Sequence, residues 1–223
     1  MLPLLEVSAS TAAWMLSYRY MGRCWNDELD YDIRCRILTV IHAIVVIACG
    51  AWTVCFERNG VVFPNQENTS LGTLICVIAL GYFVFDFWWL AVYSRKDVIM
   101  LCHHILCLII FTVTLATETC ASEICVILMI AEVSNPFLQF RTFFRKSRFK
   151  NTWFSTINDL LFIQIFFLCR MILMPFMLWI YFGHPSADNF VFLVGIALYI
   201  IGWIWWLMMM KYLHYKFFKS KAS

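Results

Sequence analysis

Residues 71–93 read LGTLICVIALGYFVFDFWWLAVY, a largely apolar stretch whose single ionisable carboxyl group belongs to Asp86. About twenty apolar residues in a helix are enough to cross the hydrocarbon core of a bilayer. A helix satisfies its own backbone hydrogen bonds there, whereas an open strand would leave them unpaired in lipid. The stretch therefore predicts a transmembrane helix that carries a polar side chain into the membrane.

Comparable stretches recur along the whole chain of 223 residues. Hydrophobic residues make up 62% of the sequence and charged residues 14%, whereas soluble domains are about half apolar and a quarter charged. This composition excludes a soluble globular core and predicts an all-α integral membrane protein with about seven transmembrane helices. The predicted spans are residues 2–18, 37–56, 71–93, 98–117, 123–140, 157–182 and 190–210.

The first span, residues 2–18, admits two interpretations. Its apolar run is interrupted by Glu6, and such a run at the N-terminus also occurs in signal peptides. No basic segment precedes the run, and no clean small-residue cleavage site follows it. We therefore interpret it as a transmembrane span.

The ten cysteines do not form the pattern of a disulfide framework or a zinc site. Most lie inside apolar runs, where a thiol behaves as a small apolar group, and no CxxC pair occurs. We predict no metal site and no cofactor. The net charge of +3 is small and the basic residues sit in short loops, which indicates membrane orientation rather than nucleic-acid binding.

The basic residues alternate from loop to loop. The first, third and fifth loops and the C-terminal tail carry nearly all of them, whereas the second loop carries Arg58 alone. The positive-inside rule therefore places those loops and the C-terminus in the cytosol, and the N-terminus in the lumen. The sequon Asn68-Thr69-Ser70 agrees, because it falls in the lumenal second loop, and it predicts glycosylation of Asn68.

The chain ends in Lys219-Ser220-Lys221-Ala222-Ser223, which has the K-x-K-x-x spacing of a dilysine retrieval signal. Such signals are read in the cytosol, where the orientation places this tail. The alternative is an ordinary basic end next to a membrane. The first interpretation predicts the endoplasmic reticulum as the compartment.

Six ionisable side chains are predicted to lie inside the spans, although a charge at a helix centre costs about 2.5–3.5 kcal/mol on insertion scales. At about 1.5 Å per residue, Arg170 lies about 20 Å below the cytosolic boundary and the other five lie about 7–12 Å below it. Those five are His42, Asp86, His103, His104 and Glu132. Because four helices contribute to this layer, we predict a polar chamber that opens toward the cytosolic half of the bilayer.

Two spans add further polar side chains to this chamber. In the fifth span Glu132, Asn135 and Gln139 share one helix face at positions i, i+3 and i+7. Pro136 is expected to open the helix there and to release a backbone carbonyl group. In the third span Tyr82 lies one turn before the carboxylate, on the same face.

Each of these residues also has a structural interpretation. His42 could cap a helix or touch lipid headgroups, and Asp86 could pair with Arg170 solely to hold two helices together. Arg170 itself is expected to be a buried charge partner. The adjacent pair His103-His104 is harder to explain in this way. Neighbouring helical residues point about 100° apart, so one ring can face the chamber while the other contacts a helix.

Four segments together resemble the TLC domain, which is named after the TRAM, Lag and CLN proteins, and Arg170 fits the same pattern. The four segments are Arg36–His42 (RILTVIH), Gly81–Asp86 (GYFVFD), the pair His103-His104, and Glu132–Leu138 (EVSNPFL). The resemblance covers residues 30–212, which leaves residues 1–29 as a first span and linker and residues 213–223 as a basic cytosolic tail. It implies a barrel of six helices around a central cavity, with the first span added.

The enzymatic members of that family, the ceramide synthases, transfer an acyl group from acyl-CoA to a sphingoid base. By resemblance, His103 and His104 would serve as base or nucleophile, and Asp86 would orient one of them. The helix after the histidines departs from the synthase pattern, since it offers Glu132 and no His-Asp pair. This departure indicates the small non-synthase branch, which the resemblance links to lipid homeostasis or lipid sensing.

Two hypotheses follow. In the first, the chain binds or senses a membrane lipid, a fatty acyl chain or a sphingolipid, and so affects membrane lipid composition. In the second, it is a ceramide-synthase-like N-acyltransferase in which a neutral histidine activates the acceptor and acyl-CoA is a substrate. A seven-helix receptor is a poorer match, because the Asp-Arg-Tyr and Asn-Pro-x-x-Tyr motifs are missing from the third and seventh spans. The residues expected to line the lipid cavity are His42, Tyr82, Glu132, Asn135, Gln139 and Arg170.

Overall fold

The computed structural model describes residues 3–24, 30–57 and 64–215. Within these ranges the structure is helical, with no β-strand and one isolated bridge between Glu67 and Thr119. In chain order the helices are α1 (Leu4–Cys24), α2 (Tyr31–Trp52), α3 (Ser70–Tyr93), α4 (Val98–Thr117), α5 (Ala121–Glu132), α6 (Asn135–Lys146), α7 (Trp153–Phe166), α8 (Met174–Phe182) and α9 (Asn189–His214). The all-α prediction is confirmed over the described part of the chain.

Six helical stretches of the described chain are long and apolar enough to cross a membrane. They correspond to the second through seventh predicted spans. α1 occupies the place of the first predicted span, but Glu6, Arg19 and Arg23 leave it outside this apolar set. The six stretches are Tyr31–Glu57, Ser70–Tyr93, Val98–Thr117, Ala121–Lys146, Trp153–Phe182 and Asn189–His214.

A turn separates α5 from α6 immediately before Pro136. Proline has no backbone N–H and its ring collides with the preceding turn, so a helix does not pass through it undisturbed. A backbone carbonyl group at this break accepts hydrogen bonds from side chains. Ala131 O accepts a hydrogen bond from Arg170 Nη2 at 3.1 Å, which joins the two interrupted spans inside the bundle.

The span formed by α7 and α8 contains a π-helical segment, Phe167–Leu173, just before Pro175. The same steric effect of proline accounts for the wider turn. π-helical turns are frequent at functional sites. Here the segment carries Arg170, the deepest cation that the sequence places inside the membrane.

α1 packs against the middle of α3 across a glycine. A Cβ atom added at Gly81 would overlap the side chain of Ser10, so the two backbones approach as closely as small residues allow. Ser10 Oγ and Trp14 Nε1 each lie 3.4 Å from Ile78 O. These contacts attach α1 to the middle of α3.

Replacing Gly81 with leucine is expected to displace α1 from α3, because the new side chain must occupy the position of Ser10. Overpacking of this kind costs about 1–3 kcal/mol. Hydrogen–deuterium exchange of the purified protein should show faster exchange in α1 and little change in α7. Gly183→Leu is the matched control, because a Cβ atom there meets nothing closer than 3.4 Å. Unchanged exchange in α1 would show that the glycine contact does not hold this helix.

Candidate functional site

A cavity of about 520 Å³ lies among α2, α3, α4, α6, α7 and α9. We refer to it as the main chamber. The α2 face of the chamber presents Cys35, Arg36 and Thr39, which sequence reasoning did not assign to the site. Eight of the residues predicted from the sequence line the chamber, namely Tyr82, Asp86, His103, His104, Glu132, Asn135, Gln139 and Arg170.

A narrower apolar pocket of about 80 Å³ adjoins the main chamber. Phe83, His103, Glu132 and Arg170 line both cavities and therefore mark their junction. The arrangement suits an amphiphile, with its polar end among ionisable groups and its tail among carbon atoms. Beyond the junction the pocket is lined mostly by apolar side chains, among them Cys107, Ile110, Phe111, Ile124, Leu128, Leu178, Val194 and Leu198.

His104 and Asp86 form a buried pair that joins α4 to α3. His104 Nε2 lies 2.6 Å from Asp86 Oδ2, and His104 Nδ1 lies 2.9 Å from the carbonyl oxygen of Met100. A carbonyl oxygen only accepts, so Nδ1 carries a hydrogen. The other proton of the pair is then shared between Nε2 and Oδ2. The Cys35 thiol donates to Asp86 Oδ1 at 3.3 Å, which completes the partners of the carboxyl group.

This geometry refines the predicted roles of the histidines. Both ring nitrogens of His104 are engaged, so His104 has no lone pair free for a substrate. The alternative in which Asp86 pairs with Arg170 is wrong, because the carboxyl group bonds to His104 and Cys35 instead. Of the adjacent pair, His103 is the histidine with an unpartnered ring nitrogen, since its Nδ1 has no hydrogen-bond partner among the described residues.

The predicted polar stripe of the fifth span forms a continuous chain of hydrogen bonds. Asn135 Nδ2 donates to Glu132 Oε2 at 2.7 Å, and Gln139 Nε2 donates to Asn135 Oδ1 at 3.2 Å. Arg36 Nη1 then donates to Gln139 Oε1 at 2.8 Å. The chain leads from the junction of the two cavities to the start of α2.

Ion pairs continue this chain to the end of the bundle where α2 begins and α6 ends, which we call the mouth end. Arg36 Nε lies 2.9 Å from Asp32 Oδ2, and Lys146 Nζ bridges Asp30 and Asp32 at 2.8 and 2.9 Å. The hydrogen bond from Lys146 holds the pKa of the Asp30 carboxyl group below its ordinary value. Exposed pairs add little stability, so their main effect is to fix α6 against α2.

Arg170 lies at the junction with a partly unsatisfied guanidinium group. Its Nη2 donates to Ala131 O, and the group stands over the rings of Phe166 and Trp205 at 5.5 and 5.7 Å. Its Nε has no hydrogen-bond partner in the described part of the chain. Arg170 therefore does more than pair with a charge, because its side chain lines both cavities where they meet.

His42 lies behind the main chamber and does not line it. Its ring stacks on that of Tyr82 with centroids 3.8 Å apart, and Trp14 and Phe83 contact its edges. Neither ring nitrogen has a hydrogen-bond partner among the described residues. Tyr82 separates it from the cavity and donates to Thr39 Oγ1 at 3.0 Å. Depth in the membrane alone could not reveal this, because it does not fix the direction in which a side chain points.

Asn68, the predicted glycosylation site, has both amide atoms engaged at the opposite end of the bundle. Its Nδ2 donates to Thr114 O at 3.0 Å, and its Oδ1 accepts from Ala121 N at 2.8 Å. The side chain thus joins the end of α4 to the start of α5. The predicted retrieval signal at Lys219 and Lys221 lies outside the described residues.

These features define the class of the protein, which is a multi-pass helical membrane protein with a buried polar chamber. The sequence matches the family model of the TLC domain over residues 32–218, and the chain belongs to that family, which is linked to lipid metabolism in general. TLC domain-containing protein 4-B of Danio rerio is a curated relative, 26% identical over 157 residues. The match covers 69% of this chain and 59% of that relative, so the chain spans less than two thirds of the relative's length.

Proposed function

We propose that the protein binds a membrane lipid with a long acyl chain and takes part in membrane lipid homeostasis. The observation that carries this proposal is the junction at His103, Glu132 and Arg170, where a polar chamber meets an apolar pocket. A fatty acyl chain or sphingolipid would extend its tail into the pocket, which must widen beyond its present volume of about 80 Å³ to take a long chain, and would place its polar group beside these residues. Binding would make the protein a sensor or carrier of that lipid.

Replacing Val194 with tryptophan is expected to abolish lipid binding, because Val194 is 6% exposed and lines the apolar pocket. The larger ring would fill space that the acyl chain needs. Binding can be measured with a fluorescent long-chain fatty acid and a fluorescent ceramide, using purified protein in nanodiscs.

The matched control for that experiment is Leu193→Trp. Leu193 is the preceding residue of α9 and is 63% exposed, so the substitution adds the same ring to the outer surface. Equal binding by the two variants would contradict the proposal, provided that both have the melting temperature of the unmodified protein. Loss of binding by Val194→Trp alone would support it.

A second candidate function is N-acyl transfer from acyl-CoA to a sphingoid base. It is favoured by the His104–Asp86 pair beside His103, a ring whose Nδ1 has no hydrogen-bond partner among the described residues. Purified protein incubated with radiolabelled acyl-CoA and sphinganine tests this directly. Product formation that His103→Ala and His104→Ala abolish would support the enzyme. No turnover under conditions in which a ceramide synthase is active would exclude it.

We also propose how the helices are oriented in the membrane. α1 would act as a seventh span, and the six apolar stretches would form a barrel around the two cavities. The mouth end would face the cytosol, in the endoplasmic reticulum, with the N-terminus in the lumen. Glycosylation mapping at Asn68 and a C-terminal tag test this orientation. An unmodified Asn68 together with a lumenal tag would overturn it.

Within the family, we place the chain in the small non-synthase branch. Its motifs resemble those of TLC domain-containing protein 5, and Glu132 takes the place of a His-Asp pair. This placement favours binding or sensing over acyl transfer as the main activity. The protein could also form an oligomer. Mass measurement of the purified protein in nanodiscs would establish the number of chains in each assembly.

A further inference from the structure

Cys107 lies on the wall of the apolar pocket, one helical turn beyond His103. Its Sγ is 3.6 Å from His103 Nε2, and the residue is 6% exposed. Residues four apart on a helix share one face, so thiol and imidazole reach the same cavity. The sequence classed this cysteine as a small apolar group, yet the structure places it beside a base.

The contact between Cys107 and His103 determines which ring nitrogen of His103 can accept a proton. If His103 Nε2 accepts the hydrogen of the thiol, Nδ1 must carry the hydrogen of the neutral ring. A neutral histidine that accepts from a thiol can take its proton, and the thiolate is the nucleophilic form of cysteine. Because the thiol is buried among apolar side chains, where a free thiolate is disfavoured, His103 would take its proton as the sulfur attacks, and the pair would supply nucleophile and base in one step.

Cys107 is distinguished from the other thiols by its position. Cys102, on the same helix, is exposed and lines neither cavity. Cys35 lines the main chamber only, and its thiol already donates to Asp86. Among the described residues, Cys107 is the cysteine that lines the apolar pocket.

We propose that Cys107 is the site of covalent acyl attachment, accepting a long-chain acyl group from an acyl thioester of the coenzyme A type. This inference rests on the proposed binding of an acyl chain in the pocket. Cys107 Sγ attacks the thioester carbonyl carbon while His103 Nε2 takes the thiol proton. The carbon–sulfur bond to the carrier then breaks, and the departing thiolate receives that proton. One thioester replaces another, so no oxidant or reductant is required.

Arg170 supplies the donor that such a step needs. Arg170 lines both cavities at the junction, as His103 does, and brings a cation to that point. The tetrahedral intermediate concentrates negative charge on the former carbonyl oxygen, which a fixed donor stabilises. The tail of the acyl group would remain among the apolar side chains of the pocket, where water cannot easily hydrolyse the new thioester.

The test is acyl transfer to the purified full chain in nanodiscs from an alkyne-tagged palmitoyl-CoA, without any added transferase. We expect a label that neutral hydroxylamine removes and that fragmentation mass spectrometry of the unmodified protein assigns to Cys107. Cys107→Ser should lose the label, whereas Cys102→Ser and Cys35→Ser should keep it. His103→Gln should slow labelling, because the thiol loses its base.

Reversible binding of the fluorescent fatty acid is measured in parallel. Binding without any label on the unmodified protein would overturn the inference and leave the proposed function intact. A label that persists in Cys107→Ser, or that maps to Cys102, would overturn it as well. If no lipid binds at all, the proposed function itself fails. Because the label is mapped on the unmodified protein, the result does not depend on whether Cys107→Ser folds.

Discussion

Replacing Asp86 with alanine is expected to lower the free energy of unfolding by about 3–5 kcal/mol, the cost of removing one partner from a buried ion pair. Asp86 is 9% exposed and His104 is 4% exposed. With the carboxyl group gone, His104 Nε2 and the Cys35 thiol both lose their partner. Chemical denaturation of the purified protein in detergent, followed by circular dichroism, would measure the change.

Asp86→Asn is the informative control, and we expect it to cost much less, about 1 kcal/mol. The amide introduced there can donate to Nε2 of a neutral His104, whose Nδ1 still donates to Met100 O. Equal destabilisation by the two substitutions would mean that the site requires the negative charge. If the unmodified protein, Asp86→Ala and Asp86→Asn are equally stable, the pair between His104 and Asp86 does not form.

Replacing Arg170 with methionine is expected to lower the free energy of unfolding by about 1–3 kcal/mol, because it removes a buried hydrogen bond and a cation near a buried carboxyl group. The opposite charge of Glu132 acts on Arg170, and Asn135 is the side chain that donates to Glu132. Removing the cation would leave the buried carboxyl group with Asn135 as its side-chain donor among the described residues, and would take one hydrogen bond from Ala131 O. The change is again measured by chemical denaturation.

The double substitution Arg170→Met with Glu132→Gln should recover much of that loss, because no unbalanced charge remains in the site. Ile172→Met is the matched control, since Ile172 belongs to the same π-helical segment and is 47% exposed. If the double variant loses as much free energy of unfolding as the two single variants together, the two residues are not electrostatically coupled.

The sequence predicts the spans well for a simple physical reason. A helix that crosses lipid must be apolar over about twenty residues, and this requirement is local in sequence. The six apolar stretches therefore appear where hydropathy places them. α1 falls outside this set because it is less apolar, and its attachment depends on the close approach of Ser10 and Gly81, which are far apart in the chain.

The depth of each residue in the membrane predicts which side chains share a layer, and the structure adds the direction in which each side chain points. Depth along the membrane normal brought His103, His104, Asp86 and Glu132 into one layer, and all four line the main chamber. The direction of each side chain depends on how the helices are rotated and packed, which one sequence does not reveal. For this reason the sequence could not pair Asp86 with His104, and it gave no sign that Cys107 faces a cavity.

The central claim is that an acyl chain occupies the apolar pocket with its polar end at the junction. It is tested most directly by photo-crosslinking a fatty acid that carries a diazirine at the end of its chain, followed by mass spectrometric mapping of the adducts. We predict adducts on pocket residues such as Leu178 and Val194. Adducts confined to the outer surface, at Leu193 and Trp179, which are 63% and 72% exposed, would contradict the account.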